Sequence, residues 1–332
     1  MTLHISEVEV RTVLSMPTVI EAVEEISRRQ ASNEVIVHTR RRFELPRGGF
    51  FHYMAAIHQT EGYLAMKQYT YVRGRLQFLV PLYDVASGDL LALIEADYMG
   101  QLRTGAASGV ATKHLARADA AVAAIIGTGG QARTQLEAVA SVRRLKSARV
   151  YGRNGQRREA FCREMSAKIG LLVEPAASLG EAVRGADILC TATTTSQPVV
   201  SGQDFSAGLH INAIGANHAH KRELDDEAIA RANLIVVDSV EQSRQEAGDL
   251  ILTFRGDESR WAQVKTLAEV AAGKISGRTS DNQVTLFKSN GIASWDLAAA
   301  MEVYALARKH GLGRELPLWT ETRLPGNDLG PA

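Results

Sequence analysis

The chain has 332 residues, 45% apolar and 23% charged, with a formal net charge of +1. These are the proportions of a soluble globular protein long enough for two cores, which excludes a disordered, fibrous or disulfide-scaffold chain. The near-neutral balance offers no overall field for nucleic acid or an anionic membrane, and no apolar run approaches the roughly 18 residues of a membrane span.

Residues 5–30 read as helices, with Ser6 or Thr18 as caps and Val19, Ala22, Val23 and Ile26 on one face. The opening stretch has no basic segment leading into an apolar core, so a cytoplasmic protein without a signal peptide is expected. Strand character follows at Val35–Val37, Phe50–Met54, Tyr63–Tyr71, Phe78–Asp84 and Leu90–Glu95, separated by the turn signals Pro46–Gly49, Arg73-Gly74 and Ser87-Gly88. Short connections between consecutive strands predict a mostly antiparallel sheet. A helix is expected over 96–115.

From Ala118 the pattern changes. Short apolar strands at Ala121–Ile126, Ala148–Tyr151, Ile188–Thr191, His210–Ile214, Leu234–Val237 and Val284–Phe287 alternate with amphipathic helices. This alternation predicts an α/β fold with a doubly wound parallel sheet of the Rossmann type. A helix over 293–309 and a polar tail containing Pro317 and Pro325 close the chain. Cys162 and Cys190 have no Cys or His at metal-ligand spacing and read as buried small hydrophobes; no metal site is expected.

The most specific local motif is the run Gly127-Thr128-Gly129-Gly130-Gln131-Ala132. It follows an apolar strand and opens a helix, the context that distinguishes a dinucleotide loop from an isolated glycine turn. Gly127 permits the tight turn, Gly129 lets a pyrophosphate approach the backbone, and Ala132 allows close helix–strand packing. The helix N-terminus supplies free N–H groups to the phosphates. After the next strand, Gly152-Arg153-Asn154 stands where an NAD site usually has an acid. NADP(H) is therefore favoured, with NAD(H) possible.

The chain resembles the ornithine cyclodeaminase/mu-crystallin family over nearly its whole length. The resemblance rests on YLAMKQYT, LYDVASGDLLALIEA, LRTGAASGVATKHLAR, IIGTGGQA, INAIGANHAHKRELD, VVDSVEQSRQEAGDL and QVTLFKSNGIASWDLAAA. It implies a substrate-binding and dimerisation domain over 1–116, an NAD(P)-binding domain over 117–292, and a segment 293–332 returning to the first domain. A homodimer follows from the same likeness. The family includes cyclodeaminases, alanine dehydrogenases, imine reductases and a lens protein that binds hormone, so it leaves the substrate open.

Residue by residue, the resemblance assigns substrate-carboxylate contacts to Lys67 and to one of Arg40, Arg41 and Arg42. Spacing to Lys67 makes Arg42 the first choice. Arg103 matches a family arginine near cofactor and substrate. Thr193, Ile214, Gly215, Lys221 and Ser289 match cofactor contacts. Asn217 stands where ornithine cyclodeaminases have an acid–base Asp. An amide cannot exchange a proton at ordinary pH, which counts against cyclodeamination and leaves hydride transfer intact. His218 and His220 flank that loop and read as exposed polar residues. Arg73 and Arg75 suggest a second carboxylate contact, or simply a solvated hairpin. The expected activity is NAD(P)H-dependent reduction of a small α-imino acid to an L-amino acid. A lyase with recycled NAD and a non-enzymatic binder are the alternatives.

Overall fold

The computed structural model describes residues 2–318. The polar tail with Pro325 lies outside the described residues. The first half builds on β1 (Thr2–Ile5), β2 (Val35–Glu44), β3 (Phe50–His58), β4 (Tyr63–Val72), β5 (Arg75–Asp84) and β6 (Leu90–Glu95). Strands β2 to β6 form an antiparallel meander, and β1 pairs with β6 in parallel. The β4–β5 turn places Arg73 at φ 49° and Gly74 at φ 79°. Two consecutive left-handed residues make the two-residue turn whose twist matches its strands.

The second sheet contains β7 (Val122–Ile126), β8 (Ser147–Tyr151), β9 (Val173–Pro175), β10 (Ile188–Thr191), β11 (His210–Ala213), β12 (Leu234–Val237), β13 (Lys265–Thr266) and β14 (Thr285–Lys288). All its pairings are parallel, in the order β13-β12-β14-β11-β10-β7-β8-β9. From β7 the chain builds outward one way to β9, then returns to β10 and builds the other way. The switch point lies between β7 and β10, and ligands of such sheets bind at its carboxyl edge. A last strand, β15 (Arg314–Leu316), pairs with β1 to complete the first sheet, β15-β1-β6-β5-β4-β3-β2. The expected α/β fold, one parallel and one mixed sheet, is the one observed.

Four short strands were not legible. β1, β9, β13 and β15 have two to four residues each, too few for periodicity to declare itself. β2 runs on to Glu44 through three arginines. It is an edge strand whose outer half is exposed, so its composition obeys solvent rather than a core.

The helices that position the site are α1 (Glu7–Val13), α2 (Met16–Ala31), α3 (Asp97–Leu115), α4 (Gly130–Val142), α5 (Gly155–Ile169) and the C-terminal helix Ala293–His310. A capping box between Ser6 and Glu9 starts α1, and Ser15 caps α2. Helix α3 is buried over most of its length. Small residues allow this: a Cβ on Gly105 would stand 2.5 Å from the Thr134 carbonyl oxygen of α4, and one on Gly109 2.9 Å from Ile20 of α2. The C-terminal helix packs on β2 to β5 and on α2 and α3, placing Trp295 and Leu297 in the first half's core. No helix among the described residues is long and apolar enough to cross a membrane.

Candidate active site

The glycine loop sits at the switch point. Gly127 has φ 123°, and a Cβ there would lie 2.4 Å from the Ala192 carbonyl oxygen beyond β10. Gly129 is the N-cap of α4 and offers no side-chain cap bond, so the first N–H groups of the helix stay available. A Cβ on Gly129 would meet nothing within 4 Å, and this open approach fits a pyrophosphate. Gly130 faces Gln101 of α3, and Ala132 is fully buried. The Gln131 side chain has a buried oxygen without a partner among the described residues. These residues fit a dinucleotide. Beyond β8, Gly152 packs against Thr128. Asn154 caps α5 by accepting from the Arg157 N–H at 2.9 Å, and Arg153 is exposed.

The loops after β10, β11 and β14 converge on the same edge. Thr193 donates to Glu223 through both its N–H and its hydroxyl. Gly215 N–H, just after Ile214, reaches the same carboxylate at 2.7 Å. The Ser289 hydroxyl donates to Asp238 at 3.2 Å, and Asp238 also accepts the N–H groups of Asn290 and Gly291. Lys221 donates its backbone N–H to His218, while Asn217 accepts from His218 Nδ1 at 2.9 Å. His218 Nε2 lies 3.3 Å from Arg42 Nη1. Arg42 can only donate, so His218 is the neutral tautomer with its proton on Nδ1. Burial and the charge of Lys221 push its pKa down, in keeping with that form.

Opposite these loops, the inner face of the first sheet presents a charged cluster. Met54 pairs with Lys67 and His52 with Tyr69 across β3 and β4, so these four side chains share one face. Lys67 Nζ donates to Asp296 Oδ1 at 3.0 Å, and Arg103 Nε donates to the same oxygen at 2.9 Å. All three residues are at least 95% buried. Gly100 of α3 makes room for the ammonium, since a Cβ there would stand 2.9 Å from Nζ. Gly291, at φ 82°, likewise lets the chain pass Arg103. Burial, and then the Arg103 charge, bring the Lys67 pKa down to about 8 against the partial compensation of Asp296.

The three candidate arginines of β2 separate clearly. Arg41 is exposed on the other face. Arg40 has a side chain only 5% exposed, paired with Glu246 at 3.0 Å and donating to the carbonyl of Asn290 at 2.8 Å. Arg42 lies at the rim, stacked 4.3 Å over Phe50 and paired with Glu44 at 2.5 Å. Both Arg40 and Arg42 thus reach across to the second half. Next to them His52 Nδ1 and the Tyr69 hydroxyl share a 2.5 Å hydrogen bond. Burial, then the Arg40 and Arg42 charges, lower the His52 pKa to about 4. Four atoms around this cluster are buried and unpartnered among the described residues: Arg103 Nη1, Arg40 Nε, Asp296 Oδ2 and His52 Nε2. Such atoms suit a ligand bearing both an anionic group and an N–H.

Arg73 and Arg75 are not brought to this cluster. They stand exposed at the hairpin tip, six or more residues beyond Lys67, about 20 Å along the strand. Reasoning from sequence missed Asp296, Glu246, Asp238, His52, Tyr69 and Glu223. Asp296 carried the only usable signal, a lone acid inside the apolar helix SWDLAAA. No group of three His, Cys, Asp or Glu among the described residues is placed to hold a metal.

Known proteins share this fold. A Delta(1)-pyrroline-2-carboxylate reductase of Bacillus cereus is 39% identical over 239 residues, 72% of this chain and 73% of the relative. The structure of Thermococcus litoralis Delta(1)-pyrroline-2-carboxylate reductase, in complex with NADH and L-proline, superposes with a TM-score of 0.90 at 37% identity. It covers 95% of this chain and 100% of that one. An archaeal alanine dehydrogenase dimer with bound NAD gives 0.89 at 32% identity, covering 96% of this chain and 99% of that one. The model of the ornithine cyclodeaminase/mu-crystallin family matches residues 1–311, and the chain belongs to that family.

Proposed function

We propose that this protein is an NAD(P)H-dependent reductase converting a small α-imino acid into an L-amino acid. The observation that carries the reading is the buried Lys67–Asp296–Arg103 cluster facing the dinucleotide edge. In this reading Arg103, through Nη1, and an arginine of β2 hold the substrate carboxylate, a geometry guanidinium groups favour. Lys67 donates a proton to the imine nitrogen, and its lowered pKa makes the ammonium a better acid than a solvated lysine. Asp296 fixes both cations and leaves Oδ2 for the nitrogen-bound hydrogen of the product. Bound NAD(P)H supplies the hydride. Asn217 orients the loop through His218 and takes no proton, which argues against ornithine cyclodeamination.

The division of labour we propose follows the two halves. Residues 1–116 bind substrate and a second copy of the chain, residues 117–292 bind the dinucleotide, and the segment from residue 293 returns to the first half. For the cofactor we favour NADP(H) over NAD(H). Exposed Arg153 is free to meet a 2′-phosphate, and no acid at the end of β8 awaits a 2′-hydroxyl.

The test is oxidation of NADPH and NADH with pyrroline-2-carboxylate, piperideine-2-carboxylate, iminosuccinate formed from oxaloacetate and ammonia, and pyruvate with ammonia or methylamine. Turnover of any of them supports the reductase reading. A higher kcat/KM with NADPH, reduced in Arg153→Ala, supports the cofactor assignment. No turnover with either cofactor, with ammonia released from ornithine, would overturn the reading in favour of the lyase.

A further inference from the structure

Glu223 is fully buried, yet none of its carboxylate capacity is idle. Oε1 accepts the N–H and the hydroxyl of Thr193, both at 2.7 Å. Oε2 accepts the hydroxyl of Thr191 at 2.8 Å and the N–H of Gly215 at 2.7 Å. The donors come from the carboxyl ends of two neighbouring parallel strands, β10 and β11. One side chain therefore ties together two loops that are distant in sequence.

Glu223 is itself held. Its N–H and that of Leu224 donate to Asp249 Oδ1 at 2.7 and 2.9 Å. Asp249 Oδ2 lies 3.3 Å from Lys288 Nζ, an ion pair rather than a directed hydrogen bond, and both residues are fully buried. Lys288, the last residue of β14, also donates to the carbonyl of Ala216 within the loop after β11. A Cβ on Gly215 would stand 2.5 Å from Glu223 Oε1, so the loop leaves no slack against the carboxylate.

We infer that Glu223 is a positioning residue for the nicotinamide end of the cofactor site, setting the separation of the Thr193 and Gly215–Asn217 loops. The inference rests on the cofactor reading above. Glu223 acts through these loops and touches no reacting atom. Its chemistry is specific to a carboxylate, because each oxygen faces one backbone N–H that can only donate. In Glu223→Gln, whichever oxygen becomes an NH₂ group meets such an N–H head-on. One loop must then move away by the width of a lost hydrogen bond.

The experiment measures NADPH and NADH dissociation constants by nucleotide fluorescence, on folded protein whose concentration is fixed by circular dichroism. It also measures kcat and both KM values. Glu223→Gln is expected to weaken the better cofactor about tenfold and to lower kcat, leaving the KM for the imino acid within about twofold. Thr191→Val removes one donor without altering Thr193, Gly215 or the side-chain volume, and is expected to weaken the cofactor about threefold. If Glu223→Gln does not fold, Thr191→Val decides. A lower Tm with unchanged cofactor affinity and kcat per folded molecule means that Glu223 only supports the fold, and overturns the inference. Wild-type protein that binds neither dinucleotide overturns the cofactor reading itself, a result distinct from normal wild-type binding with unchanged variants.

Discussion

Lys67 and Asp296 show how a single oxygen atom can organise a site. Asp296 Oδ1 accepts from two cations while its other oxygen stays unpartnered. Removing the carboxylate in Asp296→Asn leaves two buried cations sharing no counter-ion. The expected loss is about 3–5 kcal/mol of stability, read by urea unfolding. Lys67→Met is expected to lower kcat/KM about 10²–10⁴-fold, measured with the best imine of the panel. The pH dependence has a definite sign. Lys67 must be protonated to act as the acid, so imine reduction falls as pH rises through about 8, and oxidation of the amino acid rises through the same value. A reduction profile flat from neutrality to well above that value would remove Lys67 from the acid role. Lys67 was reached through the family resemblance carried by YLAMKQYT, where the lysine stands in an otherwise apolar strand. Sequence reasoning missed Asp296 because the partner lies 229 residues further on, and no local pattern links the two.

At the scale of elements, the glycine loop was legible because every residue in it answers to a local demand of strand, turn or helix. Two of its glycines do different work. A side chain on Gly127 collides with backbone in a left-handed conformation, so Gly127→Ala is expected to destabilise by about 1–3 kcal/mol. A side chain on Gly129 enters open space, so Gly129→Ala is expected to leave Tm unchanged and raise the cofactor KM about tenfold or more. Thermal unfolding and cofactor titration of the pair separate a folding glycine from a binding one. β2 was legible only in its apolar first third. Arg40 and Arg42 lie on the inner side and Arg41 on the outer face, with a register shift between His38 and Arg41 that spacing to Lys67 alone could not resolve.

At the scale of the whole molecule, the outer face of the first sheet is unusually apolar. Phe43, Phe51 and Tyr53 stack across β2 and β3, and on the same face Ile36, Phe43 and Val72 are 45%, 57% and 37% exposed. A patch of this kind suits a second copy of the chain. Light scattering is expected to give a dimer for the wild type and a monomer, equally well folded, for Phe43→Glu; a monomeric wild type would exclude this assembly. The two-sheet plan was legible from the change of pattern at Ala118. The site between the sheets was legible only in halves, because Arg40–Glu246 and Arg42–His218 are contacts that only the completed tertiary structure creates.

The C-terminal helix Ala293–His310 carries Trp295, Leu297 and Asp296 into the half of the molecule begun by the first strands. During synthesis, therefore, Lys67 of β4 waits for a partner 229 residues further on. While the ribosome completes the parallel sheet, β4 holds Lys67 without its counter-ion, and the sheet face around it stays wet. The nascent first half remains an open platform until residue 296 has left the exit tunnel, so this core closes and Lys67 meets Asp296 in the same late step.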